Sequence, residues 1–204
     1  MQIGDRWIYE EEILSGARKR PDVSRWEQED RTVAIQKVSE GLLVRRTVRF
    51  LNNTAPPTYI GSSSESNILV HHGCIYYVND SASFDHGYGW DSSSSELSGS
   101  FRNDLANDKP LPDVCLPPRA GQTWGNRKVG RDLWTVAGFG RKHPDDPIAV
   151  TAKCFRLEAQ LSSGDDNYVW FDKGTGIVAK RTYHNGAYYD RRLTLLRFEP
   201  GKSK

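Results

Sequence analysis

Residues 32–50 read TVAIQKVSEGLLVRRTVRF, and this stretch decides the predicted fold. Two β-prone runs, 32–38 and 42–50, flank Ser39-Glu40-Gly41, a combination typical of a β-hairpin. Successive side chains of a strand point to opposite faces, which places Arg46 on the same face of the second run as its apolar neighbours. Sequential hairpins of this kind form an antiparallel meander, so a repeat of the same signal further along the chain predicts one.

The same hairpin signal recurs further along the chain. Residues 68–70 and 75–78 flank His71-His72-Gly73-Cys74, and residues 177–183 and 187–198 flank a turn in which Asn185-Gly186 supplies the positive φ angles of a tight hairpin. A long β-like run over 148–161 precedes another over 167–171. Because no helical crossover is visible between the runs, we predict a mainly β fold, a single curved antiparallel sheet built as a meander.

Irregular structure is expected at four places. The alternation over 148–161 changes face near Cys154-Phe155, which predicts a bulge or sharp bend. A short helix is expected around 101–105, capped by Ser98 or Ser100 and ended by Pro110. Turn-rich composition predicts long loops over about 52–66 and 81–120.

Size and composition bound the class of protein. A chain of 204 residues and 23.1 kDa favours a single β domain over 1–204, and 11% aromatic residues exclude global disorder. The formal net charge is only +2 and the basic residues are scattered in pairs, so no nucleic-acid partner is expected. No apolar run approaches the roughly 20 residues of a spanning helix, so we expect no transmembrane segment.

Cys74, Cys115 and Cys154 have no C-x-x-C spacing, which makes a structural zinc site improbable. An odd number of cysteines permits at most one intramolecular bridge, and Cys74 with Cys115 is the pair that would tie down a Pro-rich segment. The sequence favours three free thiols over that bridge. Cys154 lies in an apolar strand pattern, where it is expected to be a small buried hydrophobe.

Catalytic and metal-binding signals are weak. His71 and His72 are adjacent, so on a strand they would point to opposite faces and could not chelate one ion together. The chain contains no G-x-S-x-G, S-x-x-K or H-E-x-x-H motif, and its Gly-x-Gly segments precede no helix. We therefore predict no catalytic residue, no metal ligand and no cofactor.

Inward-facing polar side chains suggest a ligand-binding groove instead. Arg46 lies on an apolar face, where a charge must meet a carboxylate or line a wet cavity, and Arg181 with Tyr183 makes a similar case. Buried structural ion pairs are the alternative explanation for the arginines. Aromatic residues in the loop over 81–100 are consistent with a lid, or with anchors that hold the loop to the core. The predicted ligand-binding residues are Arg46, Tyr77, Trp90, Trp170, Arg181 and Tyr183.

A family pattern covers both ends and the middle of the chain. Its motifs are GDRWIYE (4–10), LPPRAGQTW (116–124), AKCFRLE (152–158) and YVWFDKGTGIVAK (168–180), of which the last is the most specific. In this order they resemble the bacterial domains known as TapB-like, a family of unknown function. The resemblance implies a curved antiparallel sheet, similar to the half-barrel of lipoprotein carriers, with a concave apolar face. It implies no reaction, and no catalytic residues are carried over from it.

These observations lead to three functional hypotheses. The leading one is a non-enzymatic cell-envelope domain that holds a hydrophobic or amphiphilic small molecule, or a partner protein segment, in the concave face. The second is a cofactor-independent enzyme in the same groove, with Asp85, His86 and Tyr183 as candidates, and the third is an interaction module of a larger assembly. Members of the family often follow a signal peptide, whereas residues 1–5 are not one. We therefore expect a periplasmic or envelope location if an export signal has been removed, and a cytoplasmic one otherwise.

Overall fold

The computed structural model describes residues 1–17, 20–51, 63–80, 89–91, 96–107, 112, 114–125, 133–139, 154–160, 166–183 and 189–202. These residues form fourteen β-strands and one short helix. In chain order the elements are β1 Arg6–Ala17, β2 Arg20–Val38, β3 Gly41–Phe50, β4 Ser63–His71, β5 Cys74–Asp80, β6 Gly89–Asp91, β7 Glu96–Leu97, α1 Gly99–Ala106, β8 Val114–Cys115, β9 Thr123–Gly125, β10 Leu133–Phe139, β11 Phe155–Gln160, β12 Asp166–Asp172, β13 Gly176–Tyr183 and β14 Tyr189–Glu199.

Twelve of the strands form one antiparallel sheet that does not close on itself. Its order is β5-β4-β3-β2-β1-β14-β13-β12-β11-β10-β9, with β8 on the free side of β5. The two short strands β6 and β7 extend this edge as a small ribbon, in which β6 runs parallel to β5. Neighbours in the sheet are therefore mostly neighbours in the sequence, and the predicted single antiparallel meander is confirmed.

The hairpin predicted over 32–50 is formed by β2 and β3, which pair from Val38↔Gly41 onwards. Gly41 has φ of 150°, and a Cβ atom built on it would lie 2.1 Å from the carbonyl oxygen of Val70. Only glycine allows β4 to approach this turn so closely. Gly41 therefore both forms the turn between β2 and β3 and allows β4 to pack against that turn.

β4 pairs with β5 and β13 with β14, as predicted, while the turn predicted at Asn185-Gly186 lies outside the described residues. At the turn between β4 and β5, however, the expectation for the two histidines is wrong. His71 is the last residue of β4, whereas His72 lies in the turn with φ of 47°, and their rings stack with centroids 4.1 Å apart. Strand alternation does not apply across a turn residue, so the rings lie on the same side.

The helix α1 covers the outer face of β3, β4 and β5. Ser98 is its N-cap, and the Ser98 hydroxyl accepts a hydrogen bond from the backbone N–H of Phe101 at 3.2 Å. The helix buries Phe101 and Leu105 against the sheet. The cluster on this face consists of Leu43, Leu69, Val78, Leu97, Phe101 and Leu105.

A second cluster joins the two ends of the sheet on its other face. It consists of Val114, Val136, Phe155, Leu157, Val169 and Phe171. Val114 belongs to the short strand beside β5, whereas the other members belong to β10, β11 and β12. Residues from opposite ends of the sheet can meet in this way only because the sheet curls around this face, which we call the concave face.

Cys74 and Cys115 form a disulfide between the facing residues of β5 and β8. The preference of the sequence analysis for three free thiols is therefore wrong. The pairing of β8 with β5 puts the two cysteines directly opposite each other, and this is a long-range contact that no local pattern reveals. Cys154 is a buried thiol outside this disulfide, as predicted.

The remaining expectations for irregular structure have mixed outcomes. The short helix is confirmed. The structure begins β4 at Ser63 and places β6, β7, α1 and β8 within 81–120, so both predicted loops contain regular elements. The bend predicted near Cys154-Phe155 stays a prediction, because residues 148–153 of that run lie outside the described residues. Within the described ranges, no helix combines the length and apolar character needed to cross a membrane.

Candidate functional site

The concave face encloses a cavity of about 620 Å³. Its walls come from the middle strands of the sheet on one side and from the cluster around β8, β10 and β12 on the other. The apolar lining includes Trp7, Val48, Ile68, Ile75, Val114, Leu116, Trp134, Val169, Phe171, Ile177, Leu193 and Phe198. The polar lining includes Asp5, Tyr9, Gln28, Asp30, Arg46, Ser66, Tyr77, Lys173, Lys180, Thr182 and Arg191.

Arg46 is the central polar residue of the cavity wall. Its Nη2 donates to Oδ2 of Asp30 at 2.9 Å, and its guanidinium carbon lies 4.7 Å from the centre of the Trp7 ring. Gln28 donates a second hydrogen bond, also of 2.9 Å, to the other carboxylate oxygen of Asp30. The side chains of Arg46 and Asp30 are only 10% and 13% exposed. The charge predicted on this apolar face is thus matched by a carboxylate from the adjacent strand.

The ionisation of this pair follows from its burial. Burial raises the pKa of the Asp30 carboxyl above its ordinary value, although Arg46 and Gln28 act in the opposite direction. Burial also acts to lower the pKa of Arg46, but its attraction to Asp30 and to the phenols of Tyr77 and Tyr9 raises that pKa overall. Arg46 therefore remains a cation, whose charge is largely balanced within the wall.

Two aromatic side chains of β1 are held in place by backbone carbonyls across the cavity. Trp7 Nε1 donates to the carbonyl oxygen of Thr175 at 2.5 Å, and Tyr9 Oη donates to that of Ile177 at 3.0 Å. Burial raises the pKa of Tyr9 well above its ordinary value, so the hydroxyl stays protonated and keeps donating. These bonds fix β1 to the beginning of β13 and give the cavity a rigid aromatic wall.

A cationic group lies further along β13 and β14. Lys180 pairs with Leu193 and Thr182 pairs with Arg191, so all four side chains share the concave face. Arg191 Nε donates to Oε1 of Glu11, a fully buried carboxylate on the neighbouring strand β1. The second oxygen of Glu11 accepts a hydrogen bond from Trp26 Nε1 at 2.9 Å.

The structure brings only some of the predicted site residues together. Arg46 and Tyr77 line the cavity. Trp170 and Arg181 are buried on the opposite face, where Arg181 donates to the carbonyl oxygens of Lys180 and Leu193. Tyr183 packs on Tyr168 on that same outer face, with ring centroids 5.8 Å apart. The backbone of Trp90 lies in β6, and its side chain, like Asp85 and His86, lies outside the described residues.

A β-bulge explains why alternation pointed to the wrong face of β13. Trp170 pairs with Ala179 whereas Phe171 pairs with Ile177, so Val178 is an extra residue in the strand. Ile177 therefore shares the concave face with Lys180 and Thr182 rather than with Arg181 and Tyr183. If every second residue from Ile177 is assigned to one face without the bulge, Arg181 and Tyr183 are placed on the concave face and Lys180 and Thr182 on the outer face.

Sequence reasoning also missed the β1 and β2 contributions. Trp7, Tyr9 and Asp30 form much of the polar and aromatic wall. The alternation of Trp7, Ile8 and Tyr9 is a signal for two aromatic rings on one face, and Asp30 lies two residues before Thr32, which pairs with Arg46. In the part of the chain that the structure describes, no three His, Cys, Asp or Glu side chains are grouped to hold a metal ion.

The sequence matches no protein-family model and no curated protein. Three solved structures align over nearly the whole chain at low identity. A candidate lipoprotein from Parabacteroides distasonis is 11% identical, with 97% of this chain and 96% of that one covered and a TM-score of 0.47. A candidate exported protein with a YmcC-like fold from Bacteroides fragilis is 9% identical, with 98% and 97% covered and a TM-score of 0.48.

The third is a candidate outer membrane lipoprotein-sorting protein domain from Vibrio parahaemolyticus. It is 12% identical, with 98% of this chain and 88% of that one covered and a TM-score of 0.30. All three TM-scores are below 0.5, so these likenesses have no weight for the function of this chain. The functional argument therefore rests on the cavity itself.

Proposed function

We propose that this protein is a non-enzymatic binding domain of the cell envelope that holds an amphiphilic ligand in the cavity of its concave face. The observation that carries the proposal is the cavity, with a volume of about 620 Å³ and a lining of aliphatic and aromatic side chains with a few convergent polar groups. Sites for small molecules typically have volumes of roughly 300–1,000 Å³ and this kind of lining. A sheet that only buried a core would fill the space with side chains.

The chemistry of the walls favours an amphiphile over a polar metabolite. Apolar side chains from both ends of the sheet meet at one side of the cavity, around Leu116, Trp134 and Phe171. Each methylene group buried there contributes roughly 0.8 kcal/mol, so a twelve-carbon chain supplies roughly 9–10 kcal/mol before the costs of association. If the costs of association take about half of this energy, the remaining energy of about 5 kcal/mol corresponds to a Kd of roughly 0.2 mM.

The disulfide supports an envelope location. Structural disulfides form and persist in oxidising compartments such as the bacterial periplasm and are rare in the cytosol. The Cys74–Cys115 bridge holds β8 on β5, and the residues beside it, Val114 and Leu116, line the cavity. Formation of the disulfide in an oxidising compartment would therefore fix the part of the cavity wall that Val114 and Leu116 form.

Mass measurement of freshly purified protein under native and then denaturing conditions tests the proposal. We expect a reproducible excess mass that disappears on denaturation and that fragments as a lipid-like molecule. An excess mass that fragments as a peptide would instead support a partner segment in the groove.

Calorimetric titration with dodecyl maltoside, below the concentration at which it forms micelles, provides the quantitative test. Val48→Trp puts a large side chain into the cavity and should abolish binding. Val23→Trp is the matched control, because Val23 is 47% exposed and is not among the residues that line the cavity. If the protein carries no excess mass and binds no dodecyl chain, or if both variants bind equally well, the proposal is wrong.

A further inference from the structure

The cationic group on β13 and β14 has an arrangement suited to an anion. Thr182 faces Arg191 and Lys180 faces Leu193 on antiparallel neighbours, so the ammonium and guanidinium groups come from diagonal positions of the same face. Diagonal partners of this kind have Cβ atoms roughly 7–8 Å apart, a separation that long side chains span easily. Thr182 lies directly opposite Arg191, and its hydroxyl donates its one proton to Oδ1 of Asn167 at 2.5 Å, so the donors of this group are the two cations.

Glu11 holds the arginine of this group in position. It is 1% exposed, and its two carboxylate oxygens accept from Arg191 Nε and from Trp26 Nε1. Arginine has five N–H donors in a planar fork, and only its Nε is engaged by this contact. The two terminal nitrogens of Arg191 belong to a side chain that is 58% exposed and lines the cavity.

The charges that line the cavity are unbalanced toward the positive sign. Among the described residues the lining contains four cationic side chains, Arg46, Lys173, Lys180 and Arg191, and two carboxylates, Asp5 and Asp30. Two of these cations already have a carboxylate partner, Arg46 in Asp30 and Arg191 in Glu11, which lies buried behind the lining. Asp5 is buried, and its oxygens accept from the backbone N–H groups of Gln2 and Gly201 at 2.7 and 2.9 Å. An anionic ligand would therefore meet cations without facing an uncompensated carboxylate in the lining.

The lining also changes character along β13. On β13 the lining extends from Thr182 and Lys180 to Ile177, a distance of about 13 Å when the four paired steps from Asn167 to Phe171 on β12 are counted at roughly 3.3 Å each. Val169 and Leu193 flank Lys180 on the two adjacent strands, and Phe171 lies opposite Ile177. On β13 itself the polar lining residues therefore lie at one end and Ile177 at the other, with apolar side chains on both adjacent strands, whereas Lys173 lies beyond the Ile177 end.

We propose that Lys180 and Arg191 bind the anionic headgroup, a phosphate or a carboxylate, of an amphiphile whose chain lies along Val169, Leu193 and Ile177. This assignment rests on the proposed function, because it gives the ligand of that cavity its charge and its direction. Glu11 is a positioning residue in it, since it acts through Arg191.

Probes with one chain and different headgroups test the assignment by calorimetry. Dodecyl phosphate, dodecanoate, dodecyl maltoside and dodecyltrimethylammonium share a twelve-carbon chain, and inorganic phosphate tests the headgroup without it. We expect the two anionic probes to bind about tenfold or more tightly than the neutral probe, since charge-assisted hydrogen bonds are the strong ones. Inorganic phosphate alone should bind weakly, since it lacks the chain.

Single variants then locate the headgroup. Lys180→Gln and Arg191→Gln should each weaken dodecyl phosphate about tenfold and leave dodecyl maltoside unchanged. Arg25→Gln is the matched control for Arg191, because Arg25 is similarly exposed and also paired with one carboxylate, that of Glu12, but is not among the residues that line the cavity. Lys180 is an exposed residue, so Lys180→Gln remains informative if Arg191→Gln unfolds.

The possible outcomes separate this assignment from the proposed function. Equal binding of all four chain probes, with no effect of Lys180→Gln, overturns the headgroup site while the binding cavity stands. A larger loss for Lys173→Gln than for Lys180→Gln reverses the direction of the ligand and also overturns it. If no chain probe binds, the proposed function itself fails. Tight binding of inorganic phosphate alone would show an anion site that needs no chain, and would overturn the amphiphile.

Discussion

The disulfide offers the sharpest prediction about stability. Cys74→Ser combined with Cys115→Ser removes a bridge between residues that are 41 positions apart in the chain. In the chain-entropy description, a closed loop of this length lowers the entropy of the unfolded chain by about 13 cal/mol/K, which is about 4 kcal/mol at 25 °C. We therefore expect the double variant to lose about 4 kcal/mol of unfolding free energy. For a chain of this length, that corresponds to a fall in Tm of roughly 8–16 °C.

Urea denaturation followed by tryptophan fluorescence measures this loss. The wild type in a reducing buffer should match the double variant, and the double variant should not respond to the reductant. Cys154 stays in place in both proteins, since it is buried and takes no part in the disulfide. A loss below about 1 kcal/mol, or an equal response of the double variant to reductant, would refute the argument that the bridge acts by restricting the unfolded chain.

Three further predictions concern the hydrophobic core, the buried carboxylate Glu29 and the Arg46–Asp30 pair of the cavity wall. Leu43→Ala should cost about 2–5 kcal/mol in urea denaturation, whereas Leu42→Ala should cost less than about 1 kcal/mol, because these adjacent leucines of β3 are 3% and 45% exposed. Burial acts to raise the pKa of Glu29, but hydrogen bonds from Arg49 and Arg6 outweigh it and hold that pKa below its ordinary value. The contribution of the Glu29 carboxylate to the free energy of unfolding is therefore complete above about pH 4.5 and is lost as the pH falls through its folded-state pKa. Glu29→Gln should flatten this part of the curve of unfolding free energy against pH. An unchanged slope would contradict the prediction. Arg46→Met should lower the free energy of unfolding by about 3–5 kcal/mol at pH 7, because it leaves Asp30 buried without its cation. Asp30→Asn in the same protein should recover part of this loss. If the loss in the double variant equals the sum of the losses in the two single variants, the two residues are not coupled.

Turn residues and alternation predicted the hairpins well because both act over a few residues. Ser39-Glu40-Gly41 ends β2 and begins β3 where expected, and Ser98 caps the helix that the sequence indicated. These signals depend on the φ preference of a glycine or on one hydroxyl near a backbone N–H, and they require no knowledge of distant residues.

The candidate site was predicted less completely because bulges shift the phase of a strand. Val178 in β13 reverses the faces of the residues that follow it, which places Lys180 in the cavity and Arg181 outside. Val33 in β2 and Leu196 in β14 are extra residues of the same kind. A bulge depends on the register between two strands, and the register is a property of the pair rather than of either sequence segment.

By itself, the sequence determined that this protein is an antiparallel meander with one short helix and an arginine on an apolar face of β3. Only the tertiary structure decided which face is concave, which carboxylate meets Arg46, and that Cys115 lies opposite Cys74. The first group follows from side-chain period and turn geometry, which are local. The second depends on how a twelve-strand sheet curls until β8 packs against β10 and β12, and that contact is set by burial of apolar surface across the whole chain.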